Sequence, residues 1–479
     1  MLSAHKRRWP SFIFSLLLVL GVVTPTLFVH DSVAAQGQTT ITYGIWDSRQ
    51  EPGLRQIADD FEKANPDIKV DIQVTGWEGY WTMLEAAATG GSLPDVFWMH
   101  SNEIYKYGAN DQLLPLDDLI KESNLDLSKF PQGLVDIYKV NGHQYGIPKD
   151  FDTIALWYNK KLFDEAGVAY PTDKWTWDDL KEAAKKLTNK DKEIYGIATM
   201  LANQEGFYNF MYTNGGTALT SDNKSGYTDP KTVEALEYYF SFGREGLSPT
   251  TGDAMDYFAN DKAAMALFGS WRIGSIISNE SLKDKVDVVP LPSKDGKRVS
   301  IYNGLANAIS AKTEHKEAAW KFVNYLSSKE VQEKASKLGV AISAYEGASD
   351  VWVDTNKQFN LKSYIEEIKD AQIRPYTHET TKWEEKVYEI LKPAYLGEKP
   401  VKEAAEEAAH VAEDTAEDLA EAGQEATEDA KELAQEAKDL AQDGVQAIQA
   451  RAEDLAEGSQ EVAEEAVSSS SQAANSNRA

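Results

Sequence analysis

Three predicted strands near the N-terminus each end in a pair of residues that joins an aromatic ring to a hydrogen-bonding group. The pairs are Trp46 with Asp47, Trp77 with Glu78, and His100 with Ser101. The rings offer flat faces for stacking, while the carboxylates and the hydroxyl form directed hydrogen bonds, a combination that suits a small-molecule pocket. The alternative is that the tryptophans only cover the hydrophobic core.

Sequence motifs of the common enzymes are missing from the chain. It has no Gly-x-Ser-x-Gly elbow, no phosphate-binding loop and no His-Glu-x-x-His helix. Its 7 histidines are scattered and it has no cysteine, so the sequence predicts no metal site and no other cofactor. A pair of catalytic carboxylates among the 77 acidic residues stays open as an alternative, because glycoside hydrolysis needs only two.

An alternation of strands and helices positions the three strand ends. Apolar alternation predicts strands over 41–45 and 68–74, and a continuous apolar run predicts a third over 96–99. Helical spacing predicts helices over 54–61 and 80–88 between them. Strands joined by helices form a largely parallel sheet, and such sheets bind ligands at the carboxyl ends of their strands.

A second α/β region is predicted from Asp152 onward. Strands are expected over 194–198 and 286–292, and helices over 178–187 and 314–327. The roughly 375 residues between the N-terminal leader and the C-terminal tail are enough for two domains, each with its own core.

The first 35 residues have the composition of a secretory signal peptide. Lys6, Arg7 and Arg8 precede an apolar run over 12–23, and small residues end at Ala35. We expect cleavage after Ala35. A retained signal anchor is the alternative, because Phe12–Val29 is almost long enough to span a bilayer.

The absence of cysteine and the acidic balance constrain the compartment and the partners. An exported lipoprotein needs a cysteine to carry its lipid, so we expect a protein that is freely soluble in the periplasm. The net charge of −28, without a basic stripe, argues against nucleic acid and anionic lipid as partners.

An acidic low-complexity tail is predicted over 411–479. From Val401 to Ala479 the chain has 21 acidic and 5 basic residues. Leu419, Leu433 and Leu440 lie on a seven-residue repeat whose companion positions are mostly alanine. That apolar seam permits a weak coiled coil, whereas its thinness and the high charge favour a solvated, partly formed helix or disorder.

Gly146–Phe163 reads GIPKDFDTIALWYNKKLF, and further motifs precede and follow it. This segment resembles the one that links the two lobes of bacterial extracellular solute-binding proteins of family 1, the maltodextrin-binding type, and the other motifs occur in the order seen in that family. The resemblance covers about Thr39–Ala409. Its other marks are Phe61–Pro66, Gly90–Val96, Phe258–Trp271, Arg374-Pro375 and Gly397–Ala405, the last of which resembles the closing helix of the family.

This resemblance implies an α/β fold of two lobes, the type II-like periplasmic binding protein fold, with a ligand cleft between the lobes. The implied first lobe comprises 36–151 and 287–311, and the second comprises 152–286 and 312–410. Bending where the chain crosses between lobes would close them on a ligand. The implied crossings lie near Asp150–Thr153, Val286–Val288 and Ser310–Lys312.

The resemblance also implies ligand contacts. Asp152 precedes Tyr158 by six residues, as an acidic contact does in relatives, and Trp271 stands where relatives have a stacking aromatic. The alternatives are a hinge hydrogen bond for Asp152 and a core position for Trp271. Tyr208 is the nearest match to a second-lobe aromatic, in a loop that departs from the family pattern. The full set of expected ligand-binding residues is Trp46, Asp47, Trp77, Glu78, His100, Ser101, Asp152, Tyr208, Trp271, Asn303 and Gly304.

A substrate-binding protein of an ABC importer, not an enzyme, is the function that the resemblance implies. We expect a periplasmic receptor that captures a carbohydrate, an oligosaccharide or a glycoside, and delivers it to permease subunits in the inner membrane. It should act as a monomer without a cofactor. The alternatives are a binding protein for a non-sugar solute, such as a polyol phosphate or a compatible solute, a secreted glycoside hydrolase, and an envelope-structural role suggested by the tail.

Overall fold

The computed structural model describes residues 38–220, 224–377 and 380–411. The signal peptide expected over 1–35 and almost all of the tail expected over 411–479 lie outside the described residues. Within the described ranges no helix is both long enough and apolar enough to cross a membrane.

Strands and helices alternate through most of the described chain. The strands are β1 (Thr39–Ile45), β2 (Ile68–Val74), β3 (Val96–His100), β4 (Lys139–Val140), β5 (His143–Gln144), β6 (Gly146–Pro148), β7 (Asp150–Phe151), β8 (Ile154–Asn159), β9 (Met265–Gly269), β10 (Val286–Val289), β11 (Ile301–Tyr302), β12 (Leu305–Ile309), β13 (Ile342–Ser343) and β14 (Gln372–Ile373). The helices are α1 (Glu51–Ala64), α2 (Trp77–Gly90), α3 (Ile104–Ala109), α4 (Asp117–Ser123), α5 (Gln132–Ile137), α6 (Lys160–Ala166), α7 (Trp177–Leu187), α8 (Tyr208–Thr213), α9 (Pro230–Arg244), α10 (Ala254–Ala259), α11 (Ile273–Ser278), α12 (Lys316–Leu326), α13 (Lys329–Lys337), α14 (Ser349–Thr355), α15 (Lys362–Glu367), α16 (Thr380–Tyr395) and α17 (401–411).

The first lobe is built on a five-stranded sheet of order β2-β1-β3-β12-β6. Strand β1 is parallel to β2 and β3, and β12 runs antiparallel to β3 and β6. Helix α1 is capped at Asn65, before Pro66, and α2 ends at Gly91, whose φ of 69° is a left-handed conformation that glycine adopts without strain. The predicted β-α-β-α-β order is confirmed, and the carboxyl ends of β1, β2 and β3 meet at one edge.

The second lobe is built on the antiparallel sheet β10-β8-β9. Helix α7 begins where the sequence predicts it, because Thr176 and Asp179 form a capping box. The Thr176 hydroxyl accepts from the Asp179 amide, and the Asp179 carboxylate accepts from the Thr176 amide. The helix predicted over 314–327 is confirmed as α12.

The strand predicted over 194–198 is wrong. This segment makes only isolated bridges, to Asn189 after α7, to Ala263 before β9 and to Ala266 in β9. It is pressed against α7, where a Cβ atom on Gly196 would lie 2.0 Å from the carbonyl oxygen of Ala184. Its apolar residues therefore reflect burial against a helix and not a continuous strand ladder.

Two of the three implied crossings between lobes do not occur where they were expected. Val286–Val288 lies in β10, which pairs with β8 inside the second-lobe sheet. Ser310–Lys312 stays on the first lobe, where the Ser310 amide donates to the Asp95 carbonyl at 3.1 Å and α12 packs on β1 and β12. The partners of both segments come from distant parts of the chain, which local sequence does not reveal.

The chain instead crosses between β6 and β8, between β10 and β12, and between α14 and α15. Helices α12 and α13 pack on first-lobe elements, whereas α15 contacts β8 and α16 packs on α9 of the second lobe. We therefore propose that the implied lobe ranges be corrected, with 287–303 assigned to the second lobe and 312–355 to the first.

Candidate functional site

Aromatic rings cluster at the edge of the first-lobe sheet where β1 and β3 end and α2 begins. The Trp46 ring centroid lies 5.1 Å from that of Trp77 and 6.5 Å from that of His100, and the Trp77 and His100 centroids are 5.4 Å apart. Trp46 also packs edge-to-face on the buried rings of Tyr80 and Trp98. Trp77 is 46% exposed and gives the cluster its accessible surface. The strand ends come together as predicted.

Asp47 forms its hydrogen bonds within its own loop. Its carboxylate accepts from the backbone amide and Nε of Arg49, each at 3.0 Å, and from Gln50 Nε2 at 3.2 Å. Burial acts to raise the pKa of this carboxyl, but the hydrogen bonds and charge of Arg49 outweigh burial and lower the pKa below its ordinary value. Arg49 also donates through Nη1 to Ser275 Oγ of the second lobe. A direct ligand contact by Asp47 stays a prediction.

His100 and Asn303 link the first-lobe sheet to the hinge. The backbone amide of Asn102 donates to His100 Nδ1 at 3.2 Å, and the Asn303 amide nitrogen lies 3.1 Å from Nε2. Burial, helped by the charge of Arg374, lowers the His100 pKa to about 3, so the imidazole is neutral. A neutral ring that accepts at Nδ1 carries its proton on Nε2 and donates a hydrogen bond there. Turning the Asn303 side-chain amide by 180° places its oxygen, which has no other partner among the described residues, where it accepts this hydrogen bond.

Asp152 lies where the chain crosses between the lobes from β6 to β8, and it is hydrogen-bonded to the crossing from β10 to β12. The Asp152 backbone amide donates to the Asn303 backbone carbonyl at 2.8 Å. The Asp152 carboxylate accepts from the Asn303 backbone amide at 3.2 Å and from Gln204 Nε2. Gln204 Oε1 in turn accepts from Arg374 at 3.3 Å. Burial and the charge of Asp150 raise the Asp152 pKa to about 7. The structure thus contains the hinge hydrogen bond that was the alternative for Asp152, and its ligand contact stays a prediction.

Arg374 is buried between Gln204 and Glu384. Its Nε lies 3.3 Å from Glu384 Oε1, its Nη2 pairs with the other carboxylate oxygen, and Tyr208 donates to Glu384 at 3.3 Å. Tyr208 is only 1% exposed and its ring packs in the second-lobe core, so its expected ligand contact stays a prediction. The Tyr208 hydroxyl positions the Glu384 carboxylate, which in turn pairs with Arg374.

Trp271 projects from the turn that follows β9. Its ring lies over Gly269, where a Cβ atom would come within 2.1 Å of it, and the side chain is 36% exposed. Arg272 fixes the turn by donating to the Glu205 carboxylate at 3.0 and 3.2 Å and to Asp253 at 3.3 Å. The core position considered for Trp271 is therefore wrong, and the ring is available on the second lobe.

The remaining expected contacts divide into three cases. Ser101 is buried and lines a cavity between the lobes. Gly304 is a packing position, because a Cβ atom there would lie 2.2 Å from the Asp150 carbonyl and because Tyr138 donates to its carbonyl at 2.7 Å. Glu78 lies in the first turn of α2, but its side chain is outside the described part of the structure.

The cavity beside Ser101 has a volume of about 670 Å³ and lies between the lobes. Tyr105 of the first lobe, Tyr212 of the second, and Arg374 and Tyr376 of the segment after β14 all line it. Such a volume falls within the roughly 300–1,000 Å³ of small-molecule sites. Tyrosines join an apolar ring to a hydroxyl, so the cavity can pack against a flat ligand and bond its polar groups.

Sequence reasoning missed five residues that shape this region: Arg49, Gln204, Tyr105, Tyr212 and Tyr376. A single tyrosine on an amphipathic helix has the same sequence signal as a core residue, so the sequence did not distinguish these cavity-lining tyrosines from core tyrosines. Arg374-Pro375 was a mark of the resemblance and was the one available pointer to the neighbouring Tyr376. Among the described residues no group of three or more His, Cys, Asp or Glu side chains is placed to hold a metal ion.

Replacing Asp152 by asparagine should remove a pH-dependent part of the stability. With its pKa raised to about 7, the folded protein keeps a proton that an unfolded aspartate, with a pKa near 4, has released. The contribution of this group to stability is therefore full below about pH 4, falls as pH rises to about 7, and is lost above it. Urea unfolding near pH 5 and near pH 7.5 measures the free energy of unfolding at each pH. Between these two values, the free energy of unfolding should fall by about 2 kcal/mol more in the wild type than in Asp152→Asn. An equal loss in both proteins would contradict the assignment.

Comparison with known proteins gives the family. The family model described as bacterial extracellular solute-binding protein matches residues 46–333. The chain is 28% identical over 310 residues to the maltotriose-binding protein of Pyrococcus abyssi, covering 59% of this chain and 62% of that protein. It is 24% identical over 357 residues to the arabinooligosaccharide-binding protein of Bacillus subtilis, covering 70% of this chain and 80% of that protein.

A solved structure shows the same architecture. An ABC substrate-binding protein from Listeria monocytogenes, in complex with cycloalternan, superposes with a TM-score of 0.73 at 26% identity and covers 79% of this chain and 99% of that one. The chain therefore belongs to the bacterial extracellular solute-binding protein family.

Proposed function

We propose that this protein captures an oligosaccharide or a glycoside between its lobes and delivers it to the permease subunits of an ABC importer. The observation that carries the proposal is the presence of accessible rings on both lobes, Trp77 on the first and Trp271 on the second. The cavity beside Ser101, which neither tryptophan lines, provides tyrosine rings and hydroxyl groups between the lobes. Sugars have apolar ring faces and many hydroxyls, so a site of this composition suits them.

The similar proteins support the same ligand class. Their names state binding of maltotriose and of arabinooligosaccharide, and the solved structure contains cycloalternan. We infer that this chain works outside the cytoplasm, in the periplasm after removal of residues 1–35, as a monomer and without catalysis.

Titration calorimetry tests this function. The panel contains mono-, di- and trisaccharides, glycosides and polyols, together with an amino acid and a phosphate ester as non-sugar solutes. We expect at least one oligosaccharide or glycoside to bind and a chromogenic glycoside to stay intact. Silence across the sugars, with binding of a non-sugar solute, would overturn the proposal, and turnover of the glycoside would support the hydrolase alternative.

Removing Glu413–Ala479 should leave the ligand affinity unchanged within about 0.5 kcal/mol, because sites that share no contact contribute nearly independently. Helix α17 must be kept, since Val401, Ala404 and Ala405 are buried in the second-lobe core. Titration of the truncated and full chains with the same sugar measures the difference. A loss of about tenfold or more would show that the tail takes part in binding.

A further inference from the structure

A side-chain hydrogen bond connects the two lobes beside the expected site. Arg49 follows β1 of the first lobe and donates through Nη1 to Ser275 Oγ, which lies in α11 of the second lobe. The stem of the arginine passes over Gly274, where a Cβ atom would lie 4.0 Å from Arg49 Cδ. Trp46 is three residues before Arg49, and Trp271 is three residues before Gly274. The bond thus joins the two chain segments that carry these tryptophans.

The Arg49 guanidinium is held in place by its own lobe. Nε donates to Asp47 Oδ1 at 3.0 Å and Nη2 donates to Oδ2 at 3.3 Å, a forked contact that leaves Nη1 for the opposite lobe. The Asp47 carboxylate is fixed in turn by the Arg49 amide and by Gln50. Because the fork orders the arginine side chain in advance, the bond to Ser275 costs little further conformational entropy.

We propose that Asp47, Arg49 and Ser275 form a latch that stabilises the closed arrangement of the lobes. Rotation about the hinge separates the two lobes and breaks the bond, so the latch acts only when the lobes approach each other. Asp47 and Arg49 are then positioning residues, which raise the closed population before any ligand arrives. A larger closed population strengthens the binding of every ligand of the closed state by the same factor.

Double electron–electron resonance on the ligand-free full chain tests the latch. The protein has no cysteine, so spin labels on Glu122→Cys of α4 and Lys186→Cys of α7 report only the distance between the lobes. We expect the labelled protein to populate a short, closed distance. Ser275→Ala should lower the ratio of closed to open molecules by about twofold to fivefold, the effect of one partly exposed hydrogen bond.

Two further variants make the test specific. Ser278→Ala is the matched control on the same helix, because the Ser278 hydroxyl donates to the carbonyl of Ser275 at 3.2 Å and does not reach the first lobe. Asp47→Ala should lower the closed fraction as Ser275→Ala does, and the two changes together should add little, because they break one contact.

Three results would overturn the latch: only open distances in the parent protein, no change in Ser275→Ala, or an equal change in Ser278→Ala. The latch rests on the proposed function only where it is expected to change the ligand affinity. Failure of every sugar to bind would count against the proposed function, whereas the distances between labels are measured without any ligand and judge the latch by themselves.

Discussion

Replacing Arg374 by alanine should lower the free energy of unfolding by about 3–5 kcal/mol, because breaking a buried ion pair leaves a charge without compensation. Arg374 pairs with Glu384 through two of its nitrogens and donates to Gln204 through a third. Both members of the ion pair are almost fully buried, with side chains 11% and 7% exposed. Chemical denaturation of the wild type and the variant measures the loss.

Arg244→Ala is the matched control for Arg374→Ala. Arg244 pairs with Glu237 along α9, where the side chains are 30% and 45% exposed, and such pairs contribute about 0–1 kcal/mol. Adding Glu384→Gln to Arg374→Ala removes the stranded charge and should recover part of the stability. Equal losses from the two arginine variants, or no recovery in the double variant, would contradict the role given to Arg374.

Trp271→Ala should weaken sugar binding by about 2–4 kcal/mol, the loss expected for a central aromatic anchor. The ring is fixed before a ligand arrives, since it lies over Gly269 and the next residue, Arg272, is held by Glu205. A ring ordered in advance spends little of its contact energy on conformational entropy. Titration calorimetry with the tightest-binding sugar of the panel gives the difference.

Tyr170→Ala is the control for a general effect of removing an exposed ring. Tyr170 is also on the second lobe and is 38% exposed, but its hydroxyl donates to Asp164 of the neighbouring helix α6. Its removal should change the affinity by less than about 0.5 kcal/mol. An affinity of Trp271→Ala within about twofold of the wild type would remove Trp271 from the site.

The elements that position the site were predictable because their signals are local. Alternation over 41–45 and 68–74, the helix stop at Asn65 and the Thr176 cap each depend on residues within one element. The gathering of Trp46, Trp77 and His100 followed from parallel strands alone, since their carboxyl ends share an edge.

The long-range contacts near the cleft were not predictable, because they join residues far apart in sequence. Arg49 meets Ser275 only when the two lobes come together, and Gln204 meets Arg374 only after the second lobe has folded. Tyr208 shows the same limit, because position along the chain can match a family contact while the direction of the ring depends on the packing of the second-lobe core.

A crystal structure of the protein with its tightest-binding sugar tests the central claim most directly. We expect sugar rings in the cleft, in contact with Trp77 or His100 on the first lobe and with Trp271 on the second. Contacts from both lobes are required because a ligand can favour closure only by binding the closed state better than the open one. A sugar held by one lobe alone, or bound outside the cleft, would contradict a receptor that closes on its ligand.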